Sequence, residues 1–235
     1  MEKKSKNFLL KKYYKNKKVL VTGANGFKGS WLSLILKNIG ANVYDIGINK
    51  KKYLFSKIIK INKLINYQNL NINNEKKLKN YITKLKPDII FHLASESLVG
   101  ECNYDPKNAF NTNVLGLVNF LEVFKERKNN KKLIINIVTS DKCYSPQAKK
   151  EYHENDNLGG HDIYSASKSC QEIVTRSYYE SFFKNNKKII LTTFRAGNVI
   201  GGGDYAPNRL FPDIARALNN KTRVKIRNPK STRPW

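Results

Sequence analysis

Tyr164 and Lys168 stand four residues apart at the start of an amphipathic stretch, so on a helix they share one face. An ammonium beside a phenol favours the phenolate, and a tyrosine so tuned can take the proton of an alcohol during hydride transfer. The spacing alone proves little, because it recurs at Tyr13/Lys17, Tyr14/Lys18 and Tyr53/Lys57. What sets Tyr164/Lys168 apart is the β-branched run Leu133 to Val138, which leads straight into Thr139-Ser140-Asp141-Lys142-Cys143-Tyr144. In open parallel sheets, ligands sit beyond the carboxyl ends of the strands. Ser140, Asp141 and Lys142 are therefore expected to face the same site as Tyr164. A hydroxyl, a carboxylate and an amine are more than alcohol oxidation needs, and they point to a second proton transfer.

A second constellation lies near the start. Val19 to Thr22 runs into Gly23-Ala24-Asn25-Gly26-Phe27-Lys28-Gly29, with a helix expected from Ser30. In this strand–turn–helix setting Gly23 permits the tight turn. Gly26 lets the backbone approach a pyrophosphate, and Gly29 lets helix and strand pack closely. The helix N-terminus offers free N–H groups to phosphate. The second strand should end in an acid for an adenosine ribose, but Asp45 lies inside that strand and its exit reads Gly47-Ile48-Asn49-Lys50. A lysine there could favour a 2′-phosphate, so charge does not decide between NAD and NADP. Asn71, after the next short strand, is either an acceptor for the adenine amino group or a turn residue.

These residues need a scaffold with strand ends aligned. Short apolar runs (Val19 to Val21, Val43 to Ile46, Ile89 to Phe91, Leu133 to Val138, Ile189 to Phe194) alternate with amphipathic stretches. The latter are Trp31 to Ile39, Glu75 to Leu85, Ala109 to Phe124 and Ser165 to Phe183. That alternation predicts an α/β fold, a Rossmann-type doubly wound parallel sheet. Residues 1–16 read as a polar, lysine-rich lead, 17–195 as the dinucleotide-binding domain, and 196–235 as the beginning of a smaller C-terminal substrate domain. A surface excursion is expected over Lys50 to Lys63, a helix over Leu210 to Leu218, and a short strand over Val224 to Ile226.

The net charge of +26 invites a nucleic-acid or anionic-membrane reading. The cations are mostly lysines spread along the whole chain, as on a solvated surface, so neither partner is expected. Cys102, Cys143 and Cys170, with His92, His153 and His161, have no metal-ligand spacing, and no metal is expected. Unpaired cysteines and the lack of an apolar leader or span point to the cytoplasm.

Longer motifs carry a resemblance. VTGANGFKGSWLSL (Val21 to Leu34), PDIIFHLAS (Pro87 to Ser95), TNVLG (Thr112 to Gly116), TSDKCY (Thr139 to Tyr144), ENDNLGGHDIYSASK (Glu154 to Lys168), RAGNVIGGGDY (Arg195 to Tyr205) and IRNPKSTRPW (Ile226 to Trp235) together cover most of the chain. It resembles the extended short-chain dehydrogenase/reductase family, and within it the CDP-glucose 4,6-dehydratase group. FKGSWLSL, TSDKCY and AGNVIGGGD are specific to that group, whereas the glycine loop and YxxxK are family-wide. The resemblance implies conversion of CDP-glucose to CDP-4-keto-6-deoxyglucose with bound NAD. Tyr164, supported by Lys168, takes the C4 hydroxyl proton while hydride leaves C4. Water is then lost across C5–C6, and hydride returns to C6.

In that scheme Ser140 binds the C4 oxygen and Asp141 protonates the departing C6 hydroxyl. Lys142 stands where related dehydratases have Glu, and it serves as the C5 base only if neutral. The resemblance places Gly23, Asn25, Gly26, Phe27, Gly29, Asn71, Ile72, Leu93, Ala94, Ser95 and Asn113, with Tyr164 and Lys168, around the cofactor. It places Asn198, Asn208 and Arg209, with Ser140, on the nucleotide-sugar substrate, and it allows a homodimer. Relatives carry Asp at Asn71, Gln at Glu96, Arg at Gly100 and Pro at Ile163. They also continue well past Trp235, which implies an incomplete substrate-binding portion. A nucleotide-sugar epimerase and an inactive NAD-binding remnant are the competing expectations; an epimerase has no need of an acid at C6.

Overall fold

A computed structural model describes residues 2–48, 54–127, 131–146 and 151–231. Six strands, β1 (Lys18–Thr22), β2 (Asn42–Gly47), β3 (Asn66–Asn69), β4 (Ile89–His92), β5 (Leu133–Val138) and β6 (Ile189–Phe194), form one sheet. Every pairing is parallel. Their order is β3-β2-β1-β4-β5-β6. The chain thus winds one way from β1 and then, at β4, the other way, which opens a crevice beyond the ends of β1 and β4.

Side-chain alternation along β1 feeds both faces of the sheet. Leu20 joins Ile46, Ile90, Leu117 and Ile135 in one apolar cluster, and Val19 and Val21 join Leu36, Val43 and Ile89 in another. With both faces covered, the strands can be continuous apolar runs. The helix α2 (Phe27–Asn38) follows the glycine loop, and α5 (Glu75–Leu85) starts at Asn74, whose side chain accepts from the Lys77 N–H at 3.1 Å.

Several boundaries depart from the sequence expectations. The lysine-rich lead contains a helix, α1 (Glu2–Tyr14), and Tyr14 packs on the Val19 cluster. Residues 50–53 of the expected excursion lie outside the described residues, and the rest of it forms the short helices α3 (Leu54–Ile58) and α4 (Ile61–Leu64). The helix expected over Ala109 to Phe124 is preceded by α6 (Val99–Tyr104) and runs as α7 (Pro106–Phe110), a π-helical turn (Asn111–Leu115) and α8 (Gly116–Lys125). The helix expected over Ser165 to Phe183 runs as α9 (Ile163–Tyr178) with a π-helical turn at Tyr179–Phe183.

The helix α10 (Leu210–Asn219) forms as expected, but Val224 to Ile226 is not a strand. That segment is largely exposed and pairs with no neighbour, and a strand needs one for its backbone groups. Arg233, Pro234 and Trp235 lie outside the described residues. Among the described residues no helix is long and apolar enough to cross a membrane.

Candidate active site

The glycine loop closes over the end of β1. The Gly23 N–H donates to Ile46 O at 3.0 Å and the Gly26 N–H to Gly23 O at 2.9 Å. Gly23 has a φ of +80°, and a Cβ on Gly29 would lie 2.3 Å from Gly23 O. Only glycine fits either position. Gly26 caps α2 without any side-chain bond, so the first turn keeps free N–H groups facing the cleft. The unlined turn and the open helix end together fit a diphosphate. Asp45 is fully buried, and its Oδ1 accepts from the Ala24 N–H at 3.0 Å. It braces the loop from behind, inside β2. Burial pushes its carboxyl up to about 7, against the backbone hydrogen bonds that favour the charge.

From this loop one cleft runs across the strand ends. Gly47, Ile48, Leu70, Asn71 and Ile72 line it at one end; Leu93, Ala94, Ser95 and Glu96 line the middle; Val138, Thr139, Tyr164, Lys168, Asp204 and Arg209 line the other end. Asn25, Phe27 and Lys28 also face it. Asn71 is on the wall, but its Oδ1 already accepts from the Asn73 N–H at 2.9 Å, as in an Asx turn.

Tyr164 sits in the first turn of α9. Asp162 caps that helix, accepting from the Ser165 N–H at 3.0 Å and from Ser165 Oγ at 2.7 Å. Ser140, Asp141 and the following 3₁₀ turn Asp141–Cys143 are tied to α9, because Ser169 Oγ donates to Cys143 O at 2.8 Å. Ser140 Oγ donates to Asp141 Oδ1 at 2.9 Å. Burial raises the Tyr164 pKa; a hydrogen bond with Ser140 opposes that, and the Asp141 charge reinforces it. The expected lowering by Lys168 is therefore corrected. The Lys168 ammonium lies 5.8 Å from the centre of the Tyr164 ring and donates to Gln171 Oε1 at 2.8 Å. Burial, followed by the charge of Lys28, brings Lys168 down to about 7, so a fixed full charge is not what faces the phenol.

Behind this wall is a polar scaffold. Asn113 is wholly buried, and all its capacity is used. Its Oδ1 accepts from Ser95 Oγ at 2.9 Å and the Glu96 N–H at 2.7 Å, while its Nδ2 donates to Glu96 O at 3.0 Å and Ser167 Oγ at 2.9 Å. It joins the β4 exit to α9 from behind the cleft wall. Buried Glu172 accepts from Thr139 Oγ1, from Thr193 Oγ1 at 3.0 Å and from Arg195 Nη2 at 2.9 Å. The Arg195 guanidinium also lies 4.8 Å over the Tyr144 ring. Thr22 Oγ1 accepts from the N–H groups of Leu93 (3.1 Å) and Ala94 (3.0 Å) and lies 3.0 Å from His92 Nδ1.

The remaining expected site residues are more dispersed. Lys142 is exposed, so the burial needed to neutralise a lysine is found at Lys168 and not at Lys142. Asn198 is half-buried in the segment after β6, where Ala196 O accepts from the Asp141 N–H at 3.1 Å. Asn208 has a φ of +63° and accepts from Arg227 Nη1 at 2.9 Å. Arg209 pairs with Asp204 at 3.2 Å on the cleft wall. Glu96 Oε1 accepts from Asn108 Nδ2 at 3.3 Å, and a Cβ on Gly100 would meet nothing within 4 Å. Glu172, Arg195, Thr22 and Lys28 were missed in sequence. Lys28 lies inside the group-specific FKGSWLSL, and Thr22 and Arg195 lie inside longer motifs of the resemblance, whereas Glu172 lies in none.

Residues 20–235 match the family described as GDP-mannose 4,6 dehydratase, and the chain belongs to that family. It is 44% identical over 232 residues to CDP-glucose 4,6-dehydratase of Salmonella typhimurium, covering 96% of this chain and 64% of the relative. With dTDP-D-glucose 4,6-dehydratase of Dictyostelium discoideum it shares 29% identity over 235 residues, 93% of this chain and 52% of the relative. The chain thus spans less than two thirds of the length of these curated relatives. Epimerase Mth375 of Methanothermobacter thermautotrophicus superposes with a TM-score of 0.77 at 23% identity, over 93% of this chain and 63% of that one. The dTDP-glucose 4,6-dehydratase of Bacillus anthracis, solved with NAD, gives 0.71 at 22%, over 88% and 63%. At these identities the two structures share the fold.

Proposed function

We propose that 17–195 form the NAD-binding, catalytic portion, and 196–235 the start of the substrate-binding portion, of a nucleotide-sugar 4,6-dehydratase acting on CDP-glucose. The observation that carries this reading is the Ser140–Asp141 pair held against Tyr164 at the end of β5. It puts a carboxyl group beside the alcohol-oxidising tyrosine. The 44% identity to a CDP-glucose 4,6-dehydratase supports the substrate class. NAD is supported by the glycine cradle and by the NAD-bound solved neighbours.

Gly23, Asn25, Gly26, Phe27 and Gly29 would hold the cofactor diphosphate, Asn71 and Ile72 its adenine end, and Leu93, Ala94 and Ser95 its nicotinamide half. Asn113 acts through Ser95 and Glu96. NAD supplies a reversible hydride acceptor when bound. Tyr164 takes the proton of the sugar C4 hydroxyl, whose oxygen Ser140 holds, and Lys168 underlies the phenol. Asp141 gives a proton to the departing C6 hydroxyl. The new 4-keto group acidifies the C5 proton, which is lost with the C6 hydroxyl as water. Lys142, next on the same turn, is exposed and lacks the burial that a lysine base needs, so that role is not given to it. Arg209, with Asn198 and Asn208, holds the substrate diphosphate.

Incubating the protein with NAD and CDP-glucose should yield a 4-keto-6-deoxy sugar nucleotide with no net NADH. Tyr164→Phe should cut kcat about a thousandfold while NAD still binds. Asp141→Asn should spare C4 oxidation, read as NADH formed on the enzyme, and block loss of water. If the wild-type protein instead inverts C4 without dehydration, the reading fails in favour of an epimerase.

A further inference from the structure

Lys28 breaks two local rules at once. It lies in the first turn of α2, where the helix dipole disfavours a cation, and that turn holds no acidic residue to offset it. It also faces the cleft wall that carries Lys168 and Arg209. Among the described residues no carboxylate lies within ion-pair distance of its ammonium, and Arg209 is already matched by Asp204. Like charges gathered in a half-buried cleft repel one another more strongly than in water. Burial lowers the Lys28 pKa, Arg209 lowers it further and Asp141 opposes them. Its electrostatic neighbours therefore belong to the β5 and α10 end of the cleft, not to the Asn71 end. An uncompensated cation kept against local preference is the signature of a site that awaits an anion.

We propose that Lys28, reaching from the glycine loop, is a substrate-binding residue that with Arg209 receives the diphosphate of the nucleotide sugar. This rests on the dehydratase reading above. The backbone N–H groups of the same turn serve the cofactor diphosphate, so one short segment would hold both ligands. The side chain faces the substrate and the main chain faces the cofactor. That arrangement also gives FKG a reason to hold a lysine where a helix start favours an acid.

The test compares the wild-type protein with Lys28→Met, Lys28→Gln and Lys28→Arg, the glutamine covering any folding defect of the methionine variant. NAD affinity is read by quenching of intrinsic fluorescence, and KM for CDP-glucose by turnover. Expected for Met and Gln is a rise in KM of roughly ten- to a hundredfold, the scale of one charge-assisted contact. NAD affinity should stay within about threefold, and Arg should restore most of the KM. A tenfold loss of NAD affinity with unchanged KM would assign Lys28 to the cofactor and overturn the proposal, as would no change in either. A wild-type protein that binds NAD but neither binds nor turns over CDP-glucose removes the dehydratase reading and this inference together. Normal wild-type turnover with indifferent variants removes the inference alone.

Discussion

Around the glycine loop the cleft is shaped by backbone and by side chains that are missing, whereas around β5 and α9 it is shaped by side chains that meet across long stretches of chain. Gly23 and Gly29 act by leaving room: one turns at positive φ and the other lets α2 approach Gly23 O. The β5 and α9 end instead depends on Asn113, bonded to Ser95, Glu96 and Ser167, and on Glu172, bonded to Thr139, Thr193 and Arg195. The first design resists disturbance except by added volume. The second is exposed to any loss of one polar partner, because the others are then left buried and unmatched.

The comparison can be broken first at Glu172. Replacing it with Gln removes the charge that matches Arg195 and should destabilise the fold by about 3 kcal/mol in urea titrations, the usual size for breaking a buried pair. Adding Arg195→Met should recover more than half of that loss; no recovery would mean that the charge pair is not what holds the β5 end. At the other end, Gly29→Ala should lower NAD affinity about a hundredfold with little loss of Tyr164-dependent chemistry at saturating cofactor. Equal NAD binding by that variant would refute the volume argument.

A smaller effect separates the two regions by pH. Asp45 is raised from 3.8 to about 7, so the folded state binds its proton more tightly than the unfolded state. Its stabilising contribution is complete below about pH 4 and is lost as pH rises to about 7, then stays constant. Asp45→Asn keeps an acceptor for the Ala24 N–H and removes that loss. The wild type should therefore fall behind the variant by about 2.5 kcal/mol more at pH 8 than at pH 5. A difference independent of pH would show that Asp45 carries its charge in the fold at both values.

How much was legible in sequence follows the same division. The glycine spacing, β1, β5 and β6 could be read because each rests on a contiguous run, and the placement of Ser140 and Asp141 followed from β5 ending at Val138. The resemblance names Asn113 for the cofactor site, but its place behind the wall was not legible, because it depends on partners up to 58 residues away. The Tyr164 shift was misread because spacing reports nearness of Lys168 but not how completely both groups are buried. The strand expected at Val224 to Ile226 failed for the opposite reason: its residues suit a strand, and no neighbour is there to pair with it.

Thr22 has a consequence for how the protein answers to pH. Its hydroxyl oxygen accepts from the Leu93 and Ala94 N–H groups and lies 3.0 Å from His92 Nδ1, while His92 Nε2 is buried with no hydrogen-bond partner among the described residues. Burial and the Lys168 charge bring His92 down to about 3. The side chain type that ordinarily senses neutral pH is thus silent here, buried against the ring of Phe120. Sensitivity near pH 7 passes instead to a lysine and an aspartate, two residue types that in water would have no part in it.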